Sequence, residues 1–186
     1  IYTSVNTLSL HDALPISPVM LVLAVLSVYF VACGMGLHDP ADRLGYVFAG
    51  PSPAGLHETL DFLDNDLGHW VFWAGFVLGT WVLGVQQALA TLDAPVPWKG
   101  TAALFALAAI LLYVMLTNLW DEYPSTVRDL FVIVAAVFVP TAAGILRHAA
   151  GLRRLPVLLV VLPAFWGSVL GTVLCWLVRY FRFGHA

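Results

Sequence analysis

Five long apolar runs, separated by shorter stretches rich in charge, proline and glycine, set the pattern of this chain. They cover about residues 18–36, 68–90, 100–119, 130–146 and 156–178. Each approaches or exceeds the ~20 residues that a helix needs to cross the apolar layer of a bilayer. Barrel strands would instead alternate polar and apolar positions over about ten residues. Lipid offers no partner to backbone N–H and C=O groups, so an uninterrupted apolar run must satisfy them internally, as a helix. The pattern therefore predicts an all-α, polytopic integral membrane bundle of about five transmembrane helices.

Composition strengthens that reading. Hydrophobic residues make up 61% of the chain and charged residues only 10%, with a mean hydropathy of +0.90. A water-soluble domain carries about 25% charged residues, so this chain has too few to coat a surface facing water. Its expected partner is the lipid bilayer. The net charge of −3 and the lack of any basic run argue against nucleic acid as a partner.

The first sixteen residues are read separately. Thr7 to Ile16 spell TLSLHDALPI, which is also one reading frame of a common short-read sequencing adapter, ACT CTT TCC CTA CAC GAC GCT CTT CCG ATC. The segment lacks the basic start and long apolar stretch of a signal peptide. Residues 1–16 are thus expected to be translated adapter rather than native protein, with Ser17 at the junction. Residues 17–186 form a single transmembrane helical domain, expected to be N-terminally truncated, so further spans upstream are expected as well.

Within the spans, several residues read as packing devices. Gly75 and Gly79, and again Gly167 and Gly171, form GxxxG pairs, which let helix backbones approach closely. They offer faces for packing inside the chain, for a homo-oligomer, or for docking into a larger membrane complex. Pro140 and Pro163 each remove a helical donor and are expected to bend their spans. Trp70, Trp120 and Trp176 fall near span ends, where amphipathic rings favour the interface. Cys33 and Cys175 read as small apolar residues. Ser168 and Thr172 have no neighbouring base in sequence, and no nucleotide-binding or CxxC motif is present.

Charge is sorted between the two ends of the bundle. With five antiparallel spans, Asp39, Asp42, Glu58, Asp61, Asp64, Asp66, Asp121, Glu122 and Asp129 share one face, while Asp93 falls on the other. That other face carries Lys99, Arg147, His148, Arg153 and Arg154. Lys and Arg set orientation, yet Arg43, Arg128, Arg179 and Arg182 on the acidic face balance Lys99 and three arginines opposite. The tight loop holding Arg153 and Arg154 favours a cytoplasmic basic face. The acidic face is then extracytoplasmic, in a plasma (inner) membrane of prokaryotic type.

Chemistry concentrates in residues 55–70, GLHETLDFLDNDLGHW. If helix runs from His57 into the second span, Glu58, Asp61, Asn65 and His69 fall on one stripe and His57 pairs with Asp61. Carboxylate and imidazole together suit a divalent metal, so His57, Glu58, Asp61 and His69, with Asp121 and Glu122 from the same face, are the candidate metal ligands. His38 and Asp39 are further contributors. Glu58 and His69 stand roughly 16 Å apart along a helix, so one ion takes only part of the set. The competing view is a solvated acidic helix start favoured by the helix dipole. Cation or metal binding or transport is the leading functional expectation. The alternatives are a metal-dependent, hydrolase-like membrane enzyme and an accessory subunit.

Overall fold

The computed structural model describes residues 17–48, 53, 55–121 and 126–183, excluding the side chains at 118–121, 126–128, 179, 180 and 183. The described chain is helical throughout its long elements: α1 (Pro18–Val47), α2 (Leu56–Asp61), α3 (His69–Leu89), α4 (Trp98–Asp121), α5 (Thr126–Leu146) and α6 (Pro156–Phe183). A π-helical stretch, Phe62–Gly68, joins α2 to α3 without a break. Two single 3₁₀ turns, His148–Ala150 and Leu152–Arg154, connect α5 to α6. Among the described residues, five helical segments are long and apolar enough to cross a membrane, so the protein is an integral membrane protein with five candidate spans there.

The helices pack in a row more than in a ring. α1 lies against α3, α3 against α5, α5 against α6, and α6 against α4. The central core falls where α5 and α6 meet: Ile133, Ala136, Val137, Ala164 and Phe165 are buried there, with Ala108 of α4. Phe76 of α3 stacks on Phe165, ring centroids 5.4 Å apart. Offset stacking of this kind adds about 0.5–1.5 kcal/mol beyond burial.

Small residues determine how closely the row is drawn together. A Cβ on Gly75 would lie 2.6 Å from both the Ser27 carbonyl oxygen and the Val31 nitrogen of α1. Ser27 is buried and donates its hydroxyl to the Gly75 carbonyl at 2.9 Å. Gly34 of α1 faces the Phe72 backbone, and Gly79 faces the Ser27 hydroxyl. At the other end of the row, Gly167 and Gly171 sit against Leu112 and Leu116 of α4. Both GxxxG faces are thus occupied by neighbours within the chain. Pro140 remains inside α5 and nests against Gly84 of α3, whose Cβ would lie 3.0 Å from the proline nitrogen.

Two helices run further than the apolar pattern indicates. The first apolar run ends at residue 36, yet α1 continues to Val47 through Pro40. Its 30 residues reach about 45 Å, well beyond a hydrocarbon layer of ~30 Å. The second run begins at Gly68, but helix extends back to Leu56 as expected from the sequence. These extensions support each other: Ala41 and Leu60 are both buried where α1 packs on α2 and the π-helical stretch. Asp39, Asp42, Glu58, Asp61, Asp64 and Asp66 therefore ride on a packed helical pair.

On the opposite face the basic residues act as clasps. Arg153 donates to the Val96 carbonyl through Nε at 2.9 Å and Nη2 at 2.5 Å. Arg147 Nε donates to the Ala88 carbonyl at 2.5 Å, in the last turn of α3, where a cation suits the dipole. Buried Gln87 bridges the same region, accepting from Val157 N–H at 3.0 Å and donating to the Ala90 carbonyl at 2.8 Å. Val157 opens α6, so Gln87 supplies the partner that its first turn lacks. Replacing Gln87 by leucine should cost about 1–3 kcal/mol, because a buried donor is left unpaired. Thermal unfolding of the detergent-solubilised variant measures it.

Candidate functional site

The acidic end holds two hollows, and Asp64 of the outer one pairs with His38 of the inner one. The outer hollow, of about 270 Å³, is lined by Asp42 and Tyr46 of α1, His57 and Asp61 of α2, and Asp64. The inner cleft, of about 360 Å³, has His38, Asp39, His69 and Asp129 in its walls, with Phe72 and Trp73 beneath. Among the described residues, neither lining includes a lysine or arginine.

Asp64 fixes the inner cleft. Its Oδ1 is paired with His38 Nδ1. Both atoms are shut off from water and neither has another hydrogen-bond partner among the described residues, so each answers the other. The backbone carbonyl of Asp64 lies 2.9 Å from His69 Nδ1. A carbonyl only accepts, so His69 Nδ1 carries the proton. The Asp64 carboxylate imposes the same tautomer on neutral His38. In the neutral form each ring then keeps its Nε2 lone pair as an acceptor. The two imidazoles meet edge to face with centroids 4.8 Å apart.

The local backbone explains how these groups come together. Gly68 is buried, and a Cβ there would come within 3.2 Å of His38, so glycine admits α1 at the level of the histidines. The π-helical stretch turns less per residue than an α-helix, because its hydrogen bonds close from i to i+5. The contact between His69 and Asp64 has that same five-residue spacing. Asp129 stands in the first turn of α5 and is only 7% exposed; the positive end of the helix favours a carboxylate there.

This geometry divides the residues picked out in the sequence. His57 and Asp61 face the outer hollow, His69 belongs to the inner cleft, and Glu58 is exposed and lines neither. The side chains of Asp121 and Glu122 lie outside the described residues. The expected stripe survives for one step, where Asn65 donates to Asp61 Oδ1 at 2.7 Å. Beyond it the π-helical turn rotates His69 away from the α-helical phase. Among the described residues, no group of three or more His, Cys, Asp or Glu is arranged to hold a metal ion.

No known protein family, curated protein or solved structure matches the chain.

Other sequence candidates resolve into structural roles. Ser168 is fully buried and donates to the Ala164 carbonyl at 2.7 Å, and Thr172 does the same to Ser168 at 2.8 Å. Both hydroxyls are thereby satisfied by their own helix. Cys33 and Cys175 are free thiols. Sequence reasoning did not single out Asp64 as the partner of His38. The signal was the five-residue interval from Asp64 to His69, which means nothing until a π-helical turn is recognised.

Proposed function

We propose that this integral membrane protein binds a cation in the cleft between His38 and His69, as a cation-handling or transporting component of its membrane. The observation that carries this reading is the paired imidazoles, each with Nδ1 tied down by Asp64. Histidines that bind cations commonly have the second ring nitrogen held by a carboxylate or carbonyl in this way. Asp39 and Asp129 add carboxylates to the same walls.

The site differs from a closed metal centre, which encloses its ion in four protein ligands. Two imidazoles and flanking carboxylates would leave positions to water, which suits an ion that must be released. The acidic face is read as extracytoplasmic, since Arg153 and Arg154 crowd one short loop on the other side.

Calorimetric titration of the protein in lipid nanodiscs with zinc, manganese and ethanolamine tests the proposal. At least one should bind saturably, and His69→Ala should weaken it by about 10–100-fold. His57→Ala, in the outer hollow, should leave it unchanged. Saturable binding by none of the three, or equal losses in the two variants, would overturn the assignment.

A further inference from the structure

The basic end of the bundle gathers four cations around two connections that are fixed to each other. Leu92 N–H donates to the Arg154 carbonyl at 3.1 Å, and Val96 N–H donates to the Arg153 carbonyl at 2.8 Å. The Arg153 side chain returns to the Val96 carbonyl. The connection from α3 to α4 is thereby pinned to the turn before α6, and Lys99 follows three residues after Val96. Arg147 is anchored alongside, on the Ala88 carbonyl.

These charges are not answered among the described residues. Arg147 and Arg153 donate to carbonyls, which accept a hydrogen bond but carry no formal charge. No carboxylate among the described residues pairs with Lys99, Arg147, Arg153 or Arg154. All four are exposed, and Asp93 is the only acidic residue of the two connections. Positive charge is therefore in excess, and its counter-charge must come from outside the chain.

The neighbouring apolar side chains identify the source. Trp98, the first residue of α4, is 71% exposed, and Leu146, the last of α5, is 78% exposed. Leu152, beside Arg153, is exposed too. Large apolar and aromatic side chains at span ends favour the membrane interface, so the cations beside them stand at the level of lipid head groups. A phospholipid answers both features, with phosphate for the cations and acyl chains for the apolar rim. An acidic soluble protein answers only the charge.

We propose that this surface binds the head group of an anionic phospholipid, its phosphate held by Lys99, Arg153 and Arg154 and its upper chains lying against Trp98 and Leu152. The inference is independent of the His38–His69 cleft, which lies at the opposite end of the spans.

Native mass spectrometry of the detergent-solubilised protein compares phosphatidylglycerol, phosphatidylcholine, inorganic phosphate and a polyglutamate peptide. A lysine or arginine at an anionic lipid surface contributes about fivefold in affinity. Phosphatidylglycerol should therefore bind about tenfold or more tightly than phosphatidylcholine, and more tightly than phosphate or the peptide. Lys99 and Arg154 make no side-chain hydrogen bond among the described residues, so Lys99→Gln with Arg154→Gln should leave thermal unfolding unchanged. The double variant should lose most of the preference for phosphatidylglycerol. Arg43→Gln removes an exposed cation from the acidic face and should leave that preference intact. If the two lipids bind alike, or Arg43→Gln costs as much as Lys99→Gln, lipid responds only to total charge and the proposal is overturned. Tighter binding of polyglutamate or of inorganic phosphate would assign the surface to an acidic protein or to a free anion, and would overturn it equally.

Discussion

A single methyl group at Gly75 is expected to push α1 away from α3. The added carbon would lie 2.6 Å from two backbone atoms of α1, the Ser27 oxygen and the Val31 nitrogen. Backbone cannot swing aside as a side chain can, so the whole helix must move and the Ser27–Gly75 hydrogen bond is lost. Overpacking commonly costs about 1–3 kcal/mol, and backbone on both sides places Gly75→Ala at the upper end, near ~3 kcal/mol. Gly167→Ala meets only the Leu112 side chain at 3.1 Å, and a rotamer change relieves it at no more than ~1 kcal/mol. Gly36→Ala should act in the opposite sense. Nothing lies within 4 Å of its added carbon, and alanine favours a helix interior over glycine by about 0.5–1 kcal/mol. Thermal unfolding of the three variants in one detergent should rank them in that order. A Gly75→Ala protein as stable as the parent would mean that α1 does not cross α3 as described.

The second large effect is expected at Asp64. Its carboxylate holds His38 and its carbonyl holds His69, so one residue orients both rings. Asp64→Asn keeps the shape and the carbonyl contact but removes the charge that secures His38. Loss of such a supporting carboxylate typically weakens cation binding by 10–100-fold. Asp61→Asn removes an equal charge only three residues away. That side chain is exposed and receives its described hydrogen bond from Asn65, so affinity should stay near the parent value. Titrating both variants with the same cation reads the difference. If Asp61→Asn does the greater damage, binding belongs to the outer hollow with His57 and Asp42.

The contrast between Asp64 and Asp61 also marks how far the sequence could be followed. The five spans were legible because each is an apolar run bounded by charge or helix breakers, and lipid leaves such a run little choice but helix. The glycine pairs were legible as packing faces, though only the structure identifies Ser27, Leu112 and Leu116 as what they meet. Residues 37–47 read as loop because Pro40 and three charged side chains interrupt the apolar pattern. They are helical because α2 and the π-helical stretch pack beside them. The site was half legible: its face and His69 were evident, whereas its pairing depends on a turn with no composition of its own. A stripe drawn at 3.6 residues per turn leads from Asp61 to His69. The actual backbone leads from Asp64.

The order of the row has a consequence for how the protein is put together. α1 packs on α3 and on the segment leading into it, and no residue of α1 belongs to the buried core clusters. Among the described residues the buried core clusters thus belong to the other four spans, and the first is attached through glycines and a serine against α3 and through Ala41 and His38 against the segment before it. A chain beginning after α1 should insert and hold together, and a separate peptide carrying residues 17–48 should restore cation binding when supplied in trans. The first span thus joins the other four chiefly through α3 and the segment leading into it, and it brings His38 to the proposed site.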